Sequence, residues 1–588
     1  MSIRQGPVRR RGLGALLAVV LAAGPFGIAV AQPPTQAQRT APLPDFPLSS
    51  VATGMTGYAL TAGPGDVIER FPVEVVSVQF DAVPGRDLVL IRVSGPFIEA
   101  SGGVAAGMSG SPVYLVDGAR PALLGAIGYV FPDADHHLAL VTPIAAMRDE
   151  LAGGGPPASV DVPGYGRAVP VATPIVLTGA SDRTAPLIAP LFRDGSVAPF
   201  PIQAGGTGRP TPPDFALVPG AAVAIQLMTG AVELSAVGTV TSVDGTSILA
   251  FGHPFLGFGP ASYGLAPAHI TAIVPSDVVP FKLANVGSGS LGAITLDAPA
   301  AVAGLIGATP ETVPLTIALD VGQRQQVFEL EVAADERLYP TLTAIATLQL
   351  VDRLVRATSA GHADLAWEIE LGDGSRLNML EQVDSGGDVA FAAAQAGGPL
   401  AILADNAFQA PAVSAIELSV AVTTERSHAT VESLVLEETT VAAGAHAIVH
   451  VRLQPYRRQA IVRTFSVEVP DTLSGEVTLL VRGGDVPRDI DDVPEEGGEV
   501  DEPRSFPELL EALRGQLQAS ELVIESIDED GDIRRLTRIA LPFVVLDSQE
   551  VTLTVVGAAE DAGDAEAEPT PSGPDGAPSG PAGASTAG

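Results

Sequence analysis

The chain has 588 residues and no cysteine, which excludes a disulfide framework, a thiol nucleophile and thiolate-ligated zinc, and leaves stability to packed cores. Cations are scarce: 32 Lys and Arg face 68 Asp and Glu, for a formal net charge of -36. Nucleic acid and anionic lipid surfaces are thereby excluded as general partners, because both demand clustered Lys and Arg. Histidine is limited to eight residues, so few side chains can serve as a neutral-pH base. Beyond the first stretch, Leu13 to Val30, no run is long and apolar enough to span a bilayer.

That first stretch follows Arg4, Arg9, Arg10 and Arg11, is interrupted by Gly24-Pro25, and ends at Ala29-Val30-Ala31 before Gln32, the small-residue pattern of a signal-peptidase site. The pattern predicts a cleaved signal peptide over 1–31 and a chain exported to the periplasm or beyond, with no membrane anchor after cleavage. Pro33, Pro34, Pro42 and Pro44 mark 32–45 as a linker. At the other end, 558–588 is Ala, Gly, Pro, Asp and Glu with almost no apolar bulk, the composition of a disordered tail.

Between these ends, alternation with period two dominates and predicts a mainly β protein of about three to four domains. Over 46–152, Phe71, Val73, Val75 and Ser77 alternate with Pro72, Glu74, Val76 and Val78; Leu88 to Val93 and Val113 to Val116 follow, and Asp117-Gly118 turns the chain into Leu123 to Phe131. The Gly- and Pro-rich stretch 153–220 reads as a connecting segment. A second β-domain, 221–308, contains Ala222 to Leu227, Leu234 to Val243 and Ile248 to Phe251. In 313–410, Leu315 to Val321, Val327 to Val332 and Ala344 to Leu350 read as strands. The set over 411–557 reads as a β-sandwich-like module. It is interrupted by the acidic run Asp485 to Glu502 and by one helix that Ser505-x-x-Glu508 caps ahead of Leu509, Leu510, Leu513 and Leu517. Asp528-Glu529-Asp530-Gly531-Asp532 lacks the spacing and terminal glutamate of a calcium loop, and a hairpin turn accounts for it. No metal site and no cofactor are implied.

Chemistry concentrates at Gly107-Met108-Ser109-Gly110-Ser111-Pro112. Glycines on both sides of Ser109 allow a sharp turn, and the amides of Gly107 and Ser109 can then converge on a developing oxyanion. The competing reading is a tight turn of small residues. A nucleophilic serine needs a base. Of His136, His137, His253, His269, His362, His428, His446 and His450, only His253 stands at the end of an apolar strand among glycines, in Phe251-Gly252-His253-Pro254-Phe255-Leu256-Gly257. A buried structural role is the alternative for it.

Two strings resemble the serine peptidases of the stage IV sporulation protein B type. One is Phe71 to Val76 with Ser101 to Pro112 and Leu124-Gly125-Ala126-Ile127-Gly128-Tyr129-Val130-Phe131. The other is Gly238-Thr239-Val240-Thr241 with Leu249-Ala250-Phe251-Gly252-His253. The resemblance implies a trypsin-like pair of six-stranded β-barrels with the site between them, Ser109 as nucleophile, His253 as general base and a polypeptide substrate. Two departures stand out. The serine half precedes the histidine half, which a circular permutation of the double barrel explains, because a triad is defined by geometry rather than chain order. The family's triad acid is also missing, since Val93-Ser94-Gly95-Pro96 occupies its place. Asp277 is the candidate replacement, with a capped turn as its other reading. A non-catalytic envelope protein that binds partner polypeptides on the same fold is the alternative to an exported endopeptidase.

Overall fold

The computed structural model describes residues 43–557 except 84, 119, 133, 150–158, 180–182, 189–201, 206–215, 323, 356–357, 396 and 488–502. The expected signal peptide, the first part of the expected linker, most of the acidic run and the expected disordered tail lie outside the described residues. The fold is mainly β, with 55% strand and 13% helix. No helix among the described residues is long and apolar enough to cross a membrane.

Six strands form the first barrel: β1 (Thr56–Ala62), β2 (Ile68–Val83), β3 (Arg86–Val93), β4 (Pro112–Asp117), β5 (Arg120–Val130) and β6 (Leu138–Pro143). They pair in the order β4-β1-β2-β3-β6-β5, and β5 pairs back to β4 to close the ring. Period-two alternation turns Phe71, Val73 and Val75 inward to meet Val89, Ile91, Val113 and Ile127, while Arg70, Pro72 and Glu74 face solvent. A bulge between Val75 and Ser77 then breaks the alternation.

The stretch 153–220, expected as a connection, carries β7 (Val160–Val162), β8 (Gly166–Pro170), β9 (Ile175–Thr178) and β10 (Ile202–Gly205) in its described part. β7 and β8 extend the first sheet, and β9 and β10 extend the next. The second barrel comprises β11 (Ala222–Gly230), β12 (Leu234–Asp244), β13 (Ser247–Ala250) and β14 (Gly259–Val274). After β15 (Phe281–Val286), it is completed by β16 (Gly292–Ala298) and β17 (Ala301–Ile306). The ring runs β12-β13-β17-β16-β14-β11 and closes through β11 and β12. The 16-residue β14 outruns the barrel, and its far half pairs with β15.

From β11 the sheet continues through β19 (Arg324–Ala333) and β18 (Thr312–Val321) to β22 (Val413–Thr423), β20 (Gly361–Leu371) and β21 (Arg376–Ser385). One expectation fails here: Ala344 to Leu350 is not a strand but the middle of a helix, Tyr339–Val355. Nearly every side chain of that segment is buried against the sheet and two neighbouring helices, Val389–Gln395 and Gly398–Ala404, so no polar face marks a helical period in the sequence. The last module packs a four-stranded sheet on a five-stranded one around Val449, Val451, Leu479, Val481 and Leu553. Its helix, Phe506–Arg514, is capped by Ser505 Oγ, which accepts from the Glu508 N–H, and it ends before Leu517.

Candidate active site

Ser109 lies on the turn that leads into β4, at the face of the first barrel that meets the second. Gly107 and Gly110 adopt φ of +87° and +89°, in the left-handed region that glycine occupies without strain. A Cβ on Gly110 would stand 2.0 Å from the Thr239 carbonyl oxygen and 2.4 Å from the Phe251 nitrogen, so only glycine lets the turn press on the second barrel. β12 then grips the turn from that side. The Thr239 N–H donates to the Ser109 carbonyl (2.8 Å), Thr239 Oγ1 to the Gly107 carbonyl (2.9 Å) and Thr241 Oγ1 to the Gly110 carbonyl (2.8 Å). From its own barrel, the Gly110 N–H reaches the Ile127 carbonyl at 2.8 Å. The backbone is fully engaged around a serine whose Oγ is buried and without a hydrogen-bond partner.

The histidine segment enters the same seam. Phe251 and Gly252 both have φ of +68°, which swings the chain out of β13. Thr142 of the first barrel then donates to the Gly252 carbonyl at 2.6 Å. His253 Nδ1 lies 2.6 Å from the Pro254 carbonyl. A carbonyl only accepts, so Nδ1 carries the proton and Nε2 keeps its lone pair. Nε2 is buried and unpartnered. Burial pushes the imidazole down to about 4, against the carbonyls of Pro254 and Val171, which favour its charged form. It is a neutral ring at neutral pH. Asp297 holds the loop that follows: its buried carboxylate accepts from the N–H groups of Phe255 (2.7 Å), Leu256 (2.6 Å) and Gly257 (2.8 Å). Burial raises that carboxyl while the amides lower it, with a net upward direction.

The structure thus brings Ser109 and His253 into one inter-barrel seam, with Gly110 packed on Phe251, but Ser109 Oγ and His253 Nε2 are not hydrogen-bonded to each other. Two assigned roles are corrected. Asp277 is exposed on the loop between β14 and β15, beside an open cavity of about 630 Å³ that His136 and His137 also line. It does not orient His253, whose imidazole receives no carboxylate among the described residues. The Gly107 N–H, assigned to an oxyanion hole, donates instead to the Ala172 carbonyl at 3.1 Å, because the chain after β8 runs alongside the turn. The Ser109 N–H has no such backbone acceptor among the described residues. Several other histidines are engaged elsewhere: His428 with the buried Asp384 (2.8 Å), His269 with Asp66 (2.7 Å) and His137 with Asp135 (3.0 Å).

A residue with no sequence motif completes the seam. β15 crosses beside the serine turn: the Ala106 N–H donates to the Pro280 carbonyl (2.7 Å), and the Lys282 N–H to the Ala106 carbonyl (3.0 Å). Gln203 of β10 holds the other edge, donating to the Lys282 carbonyl and accepting from the Ala284 N–H. The Lys282 side chain then passes under Gly107, where an added Cβ would meet Lys282 Cδ at 3.3 Å. Nζ donates to Thr61 Oγ1 at 2.8 Å and stands 3.4 Å from Thr239 Oγ1. The lysine is wholly buried, and burial alone pushes its amine down to about 7. A signal was present in the sequence. Lys282 is the only lysine in the chain, and alternation places it on the inward face of β15 with Ala284 and Val286.

The seam therefore combines a hydroxyl, an imidazole and an amine, all withdrawn from water. Among the described residues, no cluster of His, Asp and Glu suited to a metal ion is present. Comparison with family models, with curated proteins and with solved structures gives no match to this chain.

Proposed function

We propose that the protein is an exported serine endopeptidase resembling the stage IV sporulation protein B type, in which Ser109 attacks the scissile carbonyl of a polypeptide and His253 is the base that the resemblance assigns. The supporting observation is the seam itself. A serine on a glycine-flanked turn and a histidine whose Nε2 has no partner among the described residues come from two closed six-stranded barrels and lie in the contact region between them, without a hydrogen bond to each other. Reversed chain order is compatible with this chemistry, because each barrel delivers its own loop to the interface. The Ser109 N–H provides one donor for the oxyanion. Ser109 is 0% exposed, so substrate binding has to part the seam.

The second reading, a non-catalytic envelope protein that binds partner polypeptides, draws on the same burial, on the engaged Gly107 amide and on the absence of an acid beside His253 among the described residues. Hydrolysis of an unfolded protein substrate by purified wild type and by Ser109→Ala separates the two. The enzyme reading requires cleavage that disappears with the hydroxyl. Equal cleavage by both proteins, or none by either, favours the binding module.

A further inference from the structure

A wholly buried amine with no ionic partner among the described residues has no place in a Ser-His mechanism, yet this chain keeps its single lysine there. Every other basic position outside the histidines is arginine, which stays charged under all ordinary conditions, whereas a lysine amine can lose its proton when desolvated. A cation needed only for packing or charge would normally be paired when buried. The groups facing Lys282 are the hydroxyls of Thr61 and Thr239. The backbone of Gly107 lies over its stem, and no carboxylate or second cation acts on it among the described residues.

We propose that Lys282 is a catalytic residue of the Ser109 site and that its neutral amine takes the serine's proton. The inference rests on reading Ser109 as the nucleophile, and it moves the role of base from the imidazole to the amine. Thr239 ties the two together: its Oγ1 contacts Nζ and the Gly107 carbonyl, and its N–H holds the Ser109 carbonyl. A base is most effective when its pKa lies near the working pH, which suits an amine held at about 7 better than an imidazole held at about 4. An amine base also needs no carboxylate behind it, which accounts for the missing acid.

In the first step the Ser109 O–H proton passes to the Nζ lone pair as Oγ bonds to the carbonyl carbon. The ammonium returns that proton to the departing amine as the C–N bond breaks. Water then attacks the acyl carbon and gives a proton to Nζ, which passes it back to Ser109 Oγ as the ester bond breaks. In the closed seam Nζ and Ser109 Oγ are not hydrogen-bonded, and the parting that admits substrate has to bring them together.

The test uses the whole protein with selectively ¹³C-labelled lysine, which gives a single side-chain lysine signal because the chain has one lysine. Its titration is compared with the rate at which a fluorophosphonate labels Ser109 from about pH 5 to about pH 9, in wild type and in Lys282→Met. The expected result is a lysine midpoint near 7 that coincides with the acid limb of the labelling rate. Labelling of Lys282→Met should fall by about 100-fold or more while its thermal unfolding shows a folded protein. A lysine that titrates near its ordinary value, or a folded Lys282→Met labelled at the wild-type rate, overturns the inference and leaves the serine-peptidase reading standing. Absence of Ser109-dependent label in wild type overturns both.

Discussion

Replacing Lys282 with Met tests whether the amine is kept for chemistry at the expense of the fold. Met retains the apolar length of the stem and removes the ionisable group. In the folded state the amine is held at about 7 against an ordinary 10.5. At about 1.36 kcal/mol per pH unit, that difference of about 3.5 amounts to roughly 5 kcal/mol of destabilisation when the lysine is charged. The unfolded chain holds the proton up to about 10.5 and the folded chain releases it near 7, so unfolding takes up a proton between those values. Wild-type stability therefore rises with pH across that window and is flat below it. Loss of the Nζ hydrogen bonds to the two threonines offsets about 1–3 kcal/mol. Lys282→Met is expected to be more stable than wild type by about 2–4 kcal/mol near pH 6 and slightly less stable above about pH 10. Urea midpoints followed by circular dichroism at the two pH values measure this. Equal destabilisation at both would make Lys282 an ordinary structural contact.

Three further outcomes follow from the seam. His253, held at about 4 against an ordinary 6.5, costs nothing as a neutral ring above pH 6.5 and destabilises the fold by about 3 kcal/mol as pH falls towards 4; urea midpoints of His253→Gln should lack that part of the slope. Asp297→Asn should destabilise by roughly 2–4 kcal/mol, with faster amide exchange at Phe255, Leu256 and Gly257 than elsewhere in the second barrel. Gly110→Ala places a methyl group on the Thr239 carbonyl and strains a φ of +89°, so a loss of roughly 3 kcal/mol or more is expected by thermal unfolding, with protease sensitivity appearing between the barrels.

The strands were legible because alternation marks a half-buried strand wherever one face meets a core, as at Phe71, Val73 and Val75, whereas their closure into two barrels was implied by the resemblance. The turn at Ser109 was legible because its glycines have the positive φ that such a turn requires. The helical period is hidden where burial covers all sides, as in Ala344 to Leu350, whose residues are nearly all buried and mostly apolar or small. Asp297 and Lys282 are hidden for another reason. Both act through register: Asp297 stands opposite Gly259 in the β14–β16 pairing and so reaches the loop after His253, and Lys282 reaches the serine turn only because β14 outruns the barrel and carries β15 with it. Composition held a clue to the second, since an isolated lysine in an inward strand position is chemically unusual.

Nucleophilic reactivity of the buried serine at the barrel seam underlies every step proposed for this site. Its most direct test is to treat the purified protein with a fluorophosphonate and locate the adduct by peptide mass spectrometry. One stoichiometric phosphonyl group on Ser109 is expected, absent when the protein is heat-unfolded before treatment and absent from Ser109→Ala. An unmodified Ser109 in folded protein across the neutral pH range, or an adduct spread over other hydroxyls, would contradict it.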